Sequence, residues 1–461
     1  MKADNCSGRC LSGRKRWLIF CRLGRRPLQL LFLTCAIRAH AITLDAALAQ
    51  TLERNPEIQQ ARIALEGAAG RRVVLHSVAY PDVRLDVFGG DQGGHRAGEA
   101  SNQPFAFARG GFIQPVFNLA VPASWRRGDI EVLLAEQQLN VAIIDQLHAA
   151  RVAFYTALYN RALGQLGGAQ RERLAGNVAS EMQRYEAGNT DRGAVAAARS
   201  LEEQLEPRIE EANRGYGAAL LTLTQSTAAP ANADAELPNP EGELRLRTVD
   251  FDVATESKTA LVRRADLQLA RLVVRAAEAD QRMIEAAYFP RIDAIGSGTY
   301  IPVTVRRGNS GTGQRANDVI SSEVRGGGAF TWRVIDNGKT IGASMRQHAI
   351  REMNELVLHR LEANVPRELE RIRNTLTAIH SRQEALTSAA TAADQNVITI
   401  QQNLGQGVAS QLEFRTAETS YLQTKTALLT AAFEQNVAIA EWDRVTGRYF
   451  QFADETAERQ H

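Results

Sequence analysis

Cysteine is confined to the first 35 residues of this 461-residue chain, at Cys6, Cys10, Cys21 and Cys35. The rest of the sequence can therefore build no disulfide and no thiolate metal site, and exposure to an oxidising compartment carries no pairing risk. Charge of one sign is also lacking: 54 Lys and Arg face 52 Asp and Glu. A near-neutral chain gives no electrostatic reason to expect nucleic acid as a partner. Past the N-terminal segment no stretch reaches 18 apolar residues, so no membrane-spanning helix is expected. Catalytic groupings are missing too. His348 and His359 are too far apart in sequence for ligands one helical turn apart. Gly308, Gly311 and Gly313 lack the following Gly-Lys-Ser/Thr of a phosphate cradle. No enzyme, cofactor or metal site is expected.

Proline is absent between Pro122 and Pro207. Residues 121–185 are rich in Ala, Leu, Gln, Glu and Arg, and they read as one helix of about 100 Å at 1.5 Å per residue. Residues 337–404 read the same way. Both rods far exceed the usual globular helix of about 11–12 residues. Gly167-Gly168 in the first and Pro366 in the second predict kinks.

The N-terminus has the form of a targeting segment. Arg14, Lys15, Arg16, Arg22, Arg25 and Arg26 precede an apolar run at 28–37, and Ala39-His40-Ala41 fits a small-x-small cleavage site. Residues 1–41 are therefore assigned to a signal peptide. Phe32, Leu33 and Thr34 before Cys35 lack the small residue of a lipidation site. An exported chain without a spanning helix is periplasmic, secreted or an outer-membrane β-barrel.

Along the remaining chain, 44–52 reads as a short helix opened by Thr43. Asn55-Pro56 then begins a second, over 57–79. From Val83 the period changes to two: Val83, Leu85 and Val87 alternate with Arg84 and Asp86. Residues 89–101 read as a Gly-rich loop and 105–117 as a second strand. After the first rod, Gly188 breaks the pattern. A helix over 193–225 follows, with Leu201, Leu205, Ile209, Ala212, Tyr216, Leu220 and Leu223 on one face and a bend at Pro207.

The pattern then recurs. Residues 55–83 match 264–292, with Pro81 and Pro290 where helix gives way to strand. Val116-Phe117-Asn118 matches Val334-Ile335-Asp336, and Gly188 matches Gly407. The extra residues of the second copy fall in a Gly-, Ser- and Asn-rich loop at 303–322. Its alternation is clearest at Val324, Phe330, Trp332 and Val334. These boundaries divide the chain into repeats at 42–226 and 251–447, a linker at 227–250 and a polar tail at 448–461. Each repeat offers two strands. Four strands cannot close a barrel, and lipid tolerates no open edge, so membrane strands here require several chains to share one barrel.

With these features the chain resembles the TolC-like outer-membrane efflux family, from Ile42 to about Gly447. The resemblance includes the family's turn pattern: an Arg and an aromatic followed by Gly, an acidic residue six later and an Ala ten later. Arg184, Tyr185, Gly188 and Ala198 match it in the first repeat, and Gly407, Glu413 and Ala417 in the second. Ala194 stands at the acidic position of the first repeat, and Asn403 and Leu404 replace the Arg and aromatic of the second.

The resemblance implies a membrane α+β fold: a homotrimeric 12-stranded outer-membrane barrel continued by a long periplasmic α-helical barrel. It implies a passive exit duct of a tripartite efflux or type I secretion system of a Gram-negative bacterium. The partners would be outer-membrane lipid, a periplasmic adaptor and an inner-membrane pump. Glu413 would ring the periplasmic aperture, and Arg184, Tyr185, Gly188, Gly407 and Ala417 would mark the tips where the adaptor docks. Phe105, Phe107, Phe330 and Trp332 would lie at the membrane interface. A soluble periplasmic coiled-coil scaffold or adaptor accounts for the rods and the leader but leaves the paired strands without a role.

Overall fold

The computed structural model describes residues 41–96, 99–228, 237–247, 252–300 and 322–449. Residues 1–40 of the segment expected as a signal peptide and most of the second interstrand loop lie outside the described residues. The elements come in two runs of the same kind. The first has α1 (Leu44–Arg54), α2 (Pro56–His76), a 3-10 turn at Ser77–Ala79, β2 (Asp82–Arg96), β3 (Glu99–Phe117), α3 (Ala120–Glu186), α4 (Arg192–Glu203) and α5 (Glu206–Thr227). The second has α6 (Val253–Arg263), α7 (Ala265–Glu285), a 3-10 turn at Ala286–Tyr288, β5 (Arg291–Tyr300), β6 (Ser322–Thr331), α8 (Lys339–Gly405) and α9 (Gln411–Thr446). A two-residue strand β1 (Ala41–Ile42) pairs in parallel with β4 (Asn239–Pro240).

Local chemistry sets the helix boundaries. Thr43 caps α1 by accepting from the Ala46 amide, and Asn55 caps α2 by accepting from Glu57 and Ile58, with Pro56 in the first turn. Arg264 occupies the matching place before α7 without a side-chain cap, and instead pairs with Asp266 and Glu368 at 2.7 Å each.

Both rods are single helices of 67 residues. α3 continues as helix through Gly167-Gly168, and α8 through Pro366. Gly167 has a packing reason: a Cβ there would come within 2.8 Å of Ile209 on α5. Pro207 acts more strongly than a bend. The chain breaks at Gln204 and Leu205, and α5 restarts with the proline in its first turn. The apolar face predicted for this segment does pack inward, with Leu205, Ala212, Leu220 and Leu223 buried.

Of the Gly-rich stretch expected as a loop at 89–101, the described residues 89–96 and 99–101 belong instead to β2 and β3. They pair without interruption from Asp82↔Ile113 to Arg96↔Glu99. Glycine's low strand propensity does not prevent this, because the ladder bonds are made by the backbone. At the other end, β6 stops at Thr331, so Trp332 and Val334 stand beyond the strand.

The core is a set of apolar clusters strung along the helices. One joins Ala153, Phe154 and Leu158 of α3 to Leu223 and Ala440. Another joins Leu267, Val365, Leu369 and Ile372 to Trp442 and Val445. The packed body extends past the boundary expected at 447, since Tyr449 is fully buried beside Leu48, Leu147 and Ala150. Burial pushes its phenol up to about 12. The described part of the linker is also pinned. Gln435 exchanges two 2.7 Å hydrogen bonds with the Arg247 backbone, and Arg161 donates to the Gly242 carbonyl at 2.7 Å.

Candidate functional site

The four longer strands form one antiparallel sheet in the order β2-β3-β5-β6, so the two halves of the chain meet at β3 and β5. Directly paired residues share a face, and the register sorts the side chains cleanly. One face carries Val83, Leu85 and Val87 of β2, Ala108, Gly110 and Phe112 of β3, Ile292, Ala294 and Tyr300 of β5, and Val324 and Phe330 of β6. Between the helix end of the sheet and the level of Val87 it holds no charged residue. The other face carries Asp82, Arg84, Asp86, Arg109, Arg291, Asp293, Glu323 and Arg325. Its ions pair along single strands: Arg84 with Asp82 at 2.8 Å, Arg291 with Asp293 at 3.1 Å and Arg325 with Glu323 at 2.6 Å.

The uncharged face is open. Val83, Leu85 and Val87 are each at least 70% exposed, and Val324 is 87% exposed. From Ile292 to Tyr300 the band extends about 27 Å before strand tilt, at about 3.4 Å per residue. That approaches the apolar band of about 25 Å on a membrane barrel. Large aromatic side chains stand exposed where strands meet helices: Tyr80, Phe117, Trp125, Tyr288, Phe289 and Trp332. Two of them fasten equivalent junctions. Trp125 donates its indole N–H to the His76 carbonyl, and Trp332 donates to the Tyr288 carbonyl, both at 3.1 Å.

Of the residues expected at the membrane interface, Phe330 lies on the uncharged face and Trp332 at the junction. Phe107 pairs with Phe88 on the charged face, so the sheet does not bring it together with Phe330. Phe105 pairs with Gly90 in the ladder, and its side chain lies outside the described residues.

The far ends of the rods are built alike. At the α3–α4 turn, Gly188 has φ +77°, its amide donates to the Tyr185 carbonyl at 2.9 Å, and Asn189 donates to Arg184 at 2.8 Å. At the α8–α9 turn, Gly407 has φ +76°, its amide donates to Leu404 at 3.0 Å, and Val408 donates to Asn403 at 2.9 Å. Nothing crowds either glycine. They are needed for the left-handed backbone that ends a helix, not for close approach.

Each turn leads into a capped helix, and here the uneven acidic position finds its cause. Ala194 and Glu413 occupy the same place, the third residue of α4 and of α9. Before α9 the cap is Ser410, and Glu413 completes a capping box: its carboxylate accepts from the Ser410 amide at 2.7 Å and from the hydroxyl at 3.1 Å. Before α4 the cap is Asp191, which accepts from the Ala194 amide at 2.7 Å and brings its own negative charge to the helix N-terminus. A second acid is superfluous there. The hydrogen bond from the Ser410 amide holds the Glu413 carboxyl below the usual carboxylate range.

The other expected tip residues are placed as follows. Arg184 pairs with Glu181 at 3.0 Å, and Tyr185 is exposed. Ala417 is buried against Val397 and Tyr421, inside the α8–α9 pair. Leu404, where an aromatic was expected, packs with Leu174, Leu205 and Phe414.

Two buried carboxylates near this end went unnoticed in the sequence. Glu418, 1% exposed, receives Arg173 at 2.9 and 3.1 Å and Gln170 at 3.1 Å, while Arg173 also stacks over the Tyr421 ring. Glu181 receives Gln411 at 2.7 Å. Both tie α3 to α9. No sequence pattern marks them, because many carboxylates sit at helical spacing and only the packing of α9 on α3 selects these two.

A sheet charged on one face and uncharged on the other, carried on helices of this length, has the two-sidedness of a membrane β-barrel segment. Solved structures of outer-membrane channels have the same fold. The CmeC outer-membrane channel of Campylobacter jejuni aligns over 88% of this chain and 85% of its own, with a TM-score of 0.76 at 14% identity. CusC aligns over 92% and 98%, at 0.76 and 14%. The outer-membrane protein VceC of Vibrio cholerae aligns over 88% and 96%, at 0.74 and 16%. No family model matches the sequence, and no curated protein does. The fold of this chain is that of the TolC-like outer-membrane channels.

Proposed function

We propose that this chain is one subunit of an outer-membrane channel, the passive exit duct of a tripartite efflux or type I secretion system. The observation that carries the reading is the two-faced sheet with two unpaired edges. Strands β2 and β6 each have one neighbour within the described residues. In lipid such edges must be closed by further strands. Three copies joined edge to edge make a barrel of twelve strands, with the uncharged face toward lipid and the charged face toward a water-filled lumen. The duplicated rods then continue the lumen for about 100 Å, across the periplasm toward an adaptor and an inner-membrane pump. The solved channels of the same fold support this reading, as does the leader-like segment at 1–41.

At the far end, the exposed turn at Gly188 with Arg184 and Tyr185, and the turn at Gly407, form the adaptor-docking tips. Glu413 contributes an acidic ring at the aperture, and cations are favoured there. Its engagement with Ser410 fixes where that charge sits. Glu413→Gln is expected to lower single-channel cation selectivity, and an unchanged selectivity would remove the ring.

The main test is biochemical. The protein is expected in outer-membrane fractions as a trimer that migrates faster before boiling than its subunits predict, and it should conduct ions in a planar bilayer. A soluble monomer in the periplasmic fraction overturns the proposal.

A further inference from the structure

Phe88 and Phe107 are the aromatic side chains on the charged face of the sheet among the residues whose side chains are described. They pair directly across β2 and β3, and their rings stack with centroids 4.7 Å apart and planes at 27°. Phe88 is 47% exposed. They stand two ladder steps beyond the Asp86↔Arg109 rung, near the level of Tyr300 on the opposite face. An exposed ring costs least on the lipid side, where apolar surface is already covered. These two rings instead face the side of Arg84, Asp86, Arg109 and Arg325. Three copies of the chain would set six phenyl rings at one height of the lumen.

We infer that Phe88 and Phe107 form a stacking contact for planar aromatic solutes moving through the duct. The inference rests on the reading of the charged face as a lumen. Phenyl faces and edges attract flat π-systems at offset or tilted geometry, and a cationic aromatic gains further from the ring quadrupole. Aliphatic ions of the same charge have no such partner. The contact therefore sorts cargo by shape and polarisability on a face otherwise carrying ions, hydroxyls and the aliphatic Ile113–Ile295 pair, which has no π-system.

The test is single-channel recording of the full-length oligomer in a planar bilayer, with 9-aminoacridine as the planar aromatic cation and tetraethylammonium as the aliphatic one. The expected result is longer blocked intervals for 9-aminoacridine. They should shorten about threefold to tenfold in Phe88→Leu/Phe107→Leu and persist in Phe88→Tyr. Should the double variant fail to assemble, Phe88→Leu alone carries the comparison. Equal intervals for the two cations in the unaltered protein overturn the inference. So does a leucine variant that changes the heat stability of the oligomer but not the block, since the pair would then only brace the hairpin. A protein that forms no channels at all contradicts the duct itself, which keeps the two failures distinct.

Discussion

The two halves of this molecule share a frame and differ in what fills it. α1 and α6 have 11 residues each, α2 and α7 have 21, and α3 and α8 have 67. The return helix is where they part. The second half returns in one helix of 36 residues, whereas the first returns in helices of 12 and 22 with two residues between them. Pro207 stands just past the break in the first half and Thr426 at the matching place in the unbroken second, although α8 accommodates Pro366 without a break. A proline inside a helix removes a hydrogen bond and clashes with the preceding turn. The caps differ as well: Asn55 against Arg264 before the second helix, and Asp191 against Ser410 with Glu413 before the return. The helix lengths agree between the halves while the caps differ, because each cap only has to satisfy the same amide groups, which several side chains can do.

The sheet gives the largest expected effect. Leu85 in the first half and Val324 in the second lie on the uncharged face. Arginine at either site is expected to cost about 2–4 kcal/mol per copy near the bilayer midplane. Both variants should lose the heat-modifiable oligomer on gels, and a harmless change at one site alone would make the two halves unequal in the membrane. Thr426→Pro follows, at about 3 kcal/mol or more, because it places in α9 the break that the first half already has. Pro207→Ala should change stability by less than about 1 kcal/mol, since α5 has its own start there. Thermal unfolding in detergent separates the two.

Glu418→Ala comes next. Losing one partner of a buried pair costs about 3–5 kcal/mol, and the partial exposure of Arg173 reduces this to about 2 kcal/mol. Glu181→Ala should cost less, since Arg184 is more open to water. Gly188→Ala and Gly407→Ala should cost about 1–2 kcal/mol each, and equally, because both turns use the same left-handed backbone. The smallest effect is a pH dependence confined to α9. A carboxyl held below its ordinary range stabilises the folded form above its unfolded pKa, and that contribution disappears as pH falls through the lowered value. Amide exchange at the start of α9 should therefore quicken in acid, and Glu413→Gln, which removes the titrating group, should abolish the change.

Much of the frame was legible because period and breakers report directly on backbone geometry. The absence of proline from 123–206 marked α3, and Tyr80-Pro81 and Phe289-Pro290 marked the strand starts. What stayed hidden depends on pairing. The glycines at 89–94 look like a loop by propensity, yet they continue a ladder whose hydrogen bonds ignore side chains. Phe107 alternates correctly for either face, and only its register against Phe88 and Arg84 assigns it to the charged one. At the tip, the turn glycines were visible, and so was the gap at Ala194. Its reason, a different cap at Asp191, required seeing that residues 194 and 413 are both third in their helices.

The central claim is that one face of the sheet meets lipid and the other meets water. Single cysteines at Leu85, Val324, Ser297 and Arg325, in a chain whose four native cysteines are replaced, can carry nitroxide labels in the reconstituted oligomer. The account predicts that labels at 85 and 324 collide mainly with oxygen dissolved in lipid, and those at 297 and 325 mainly with a water-soluble nickel chelate. Equal access of the chelate to all four positions would contradict it.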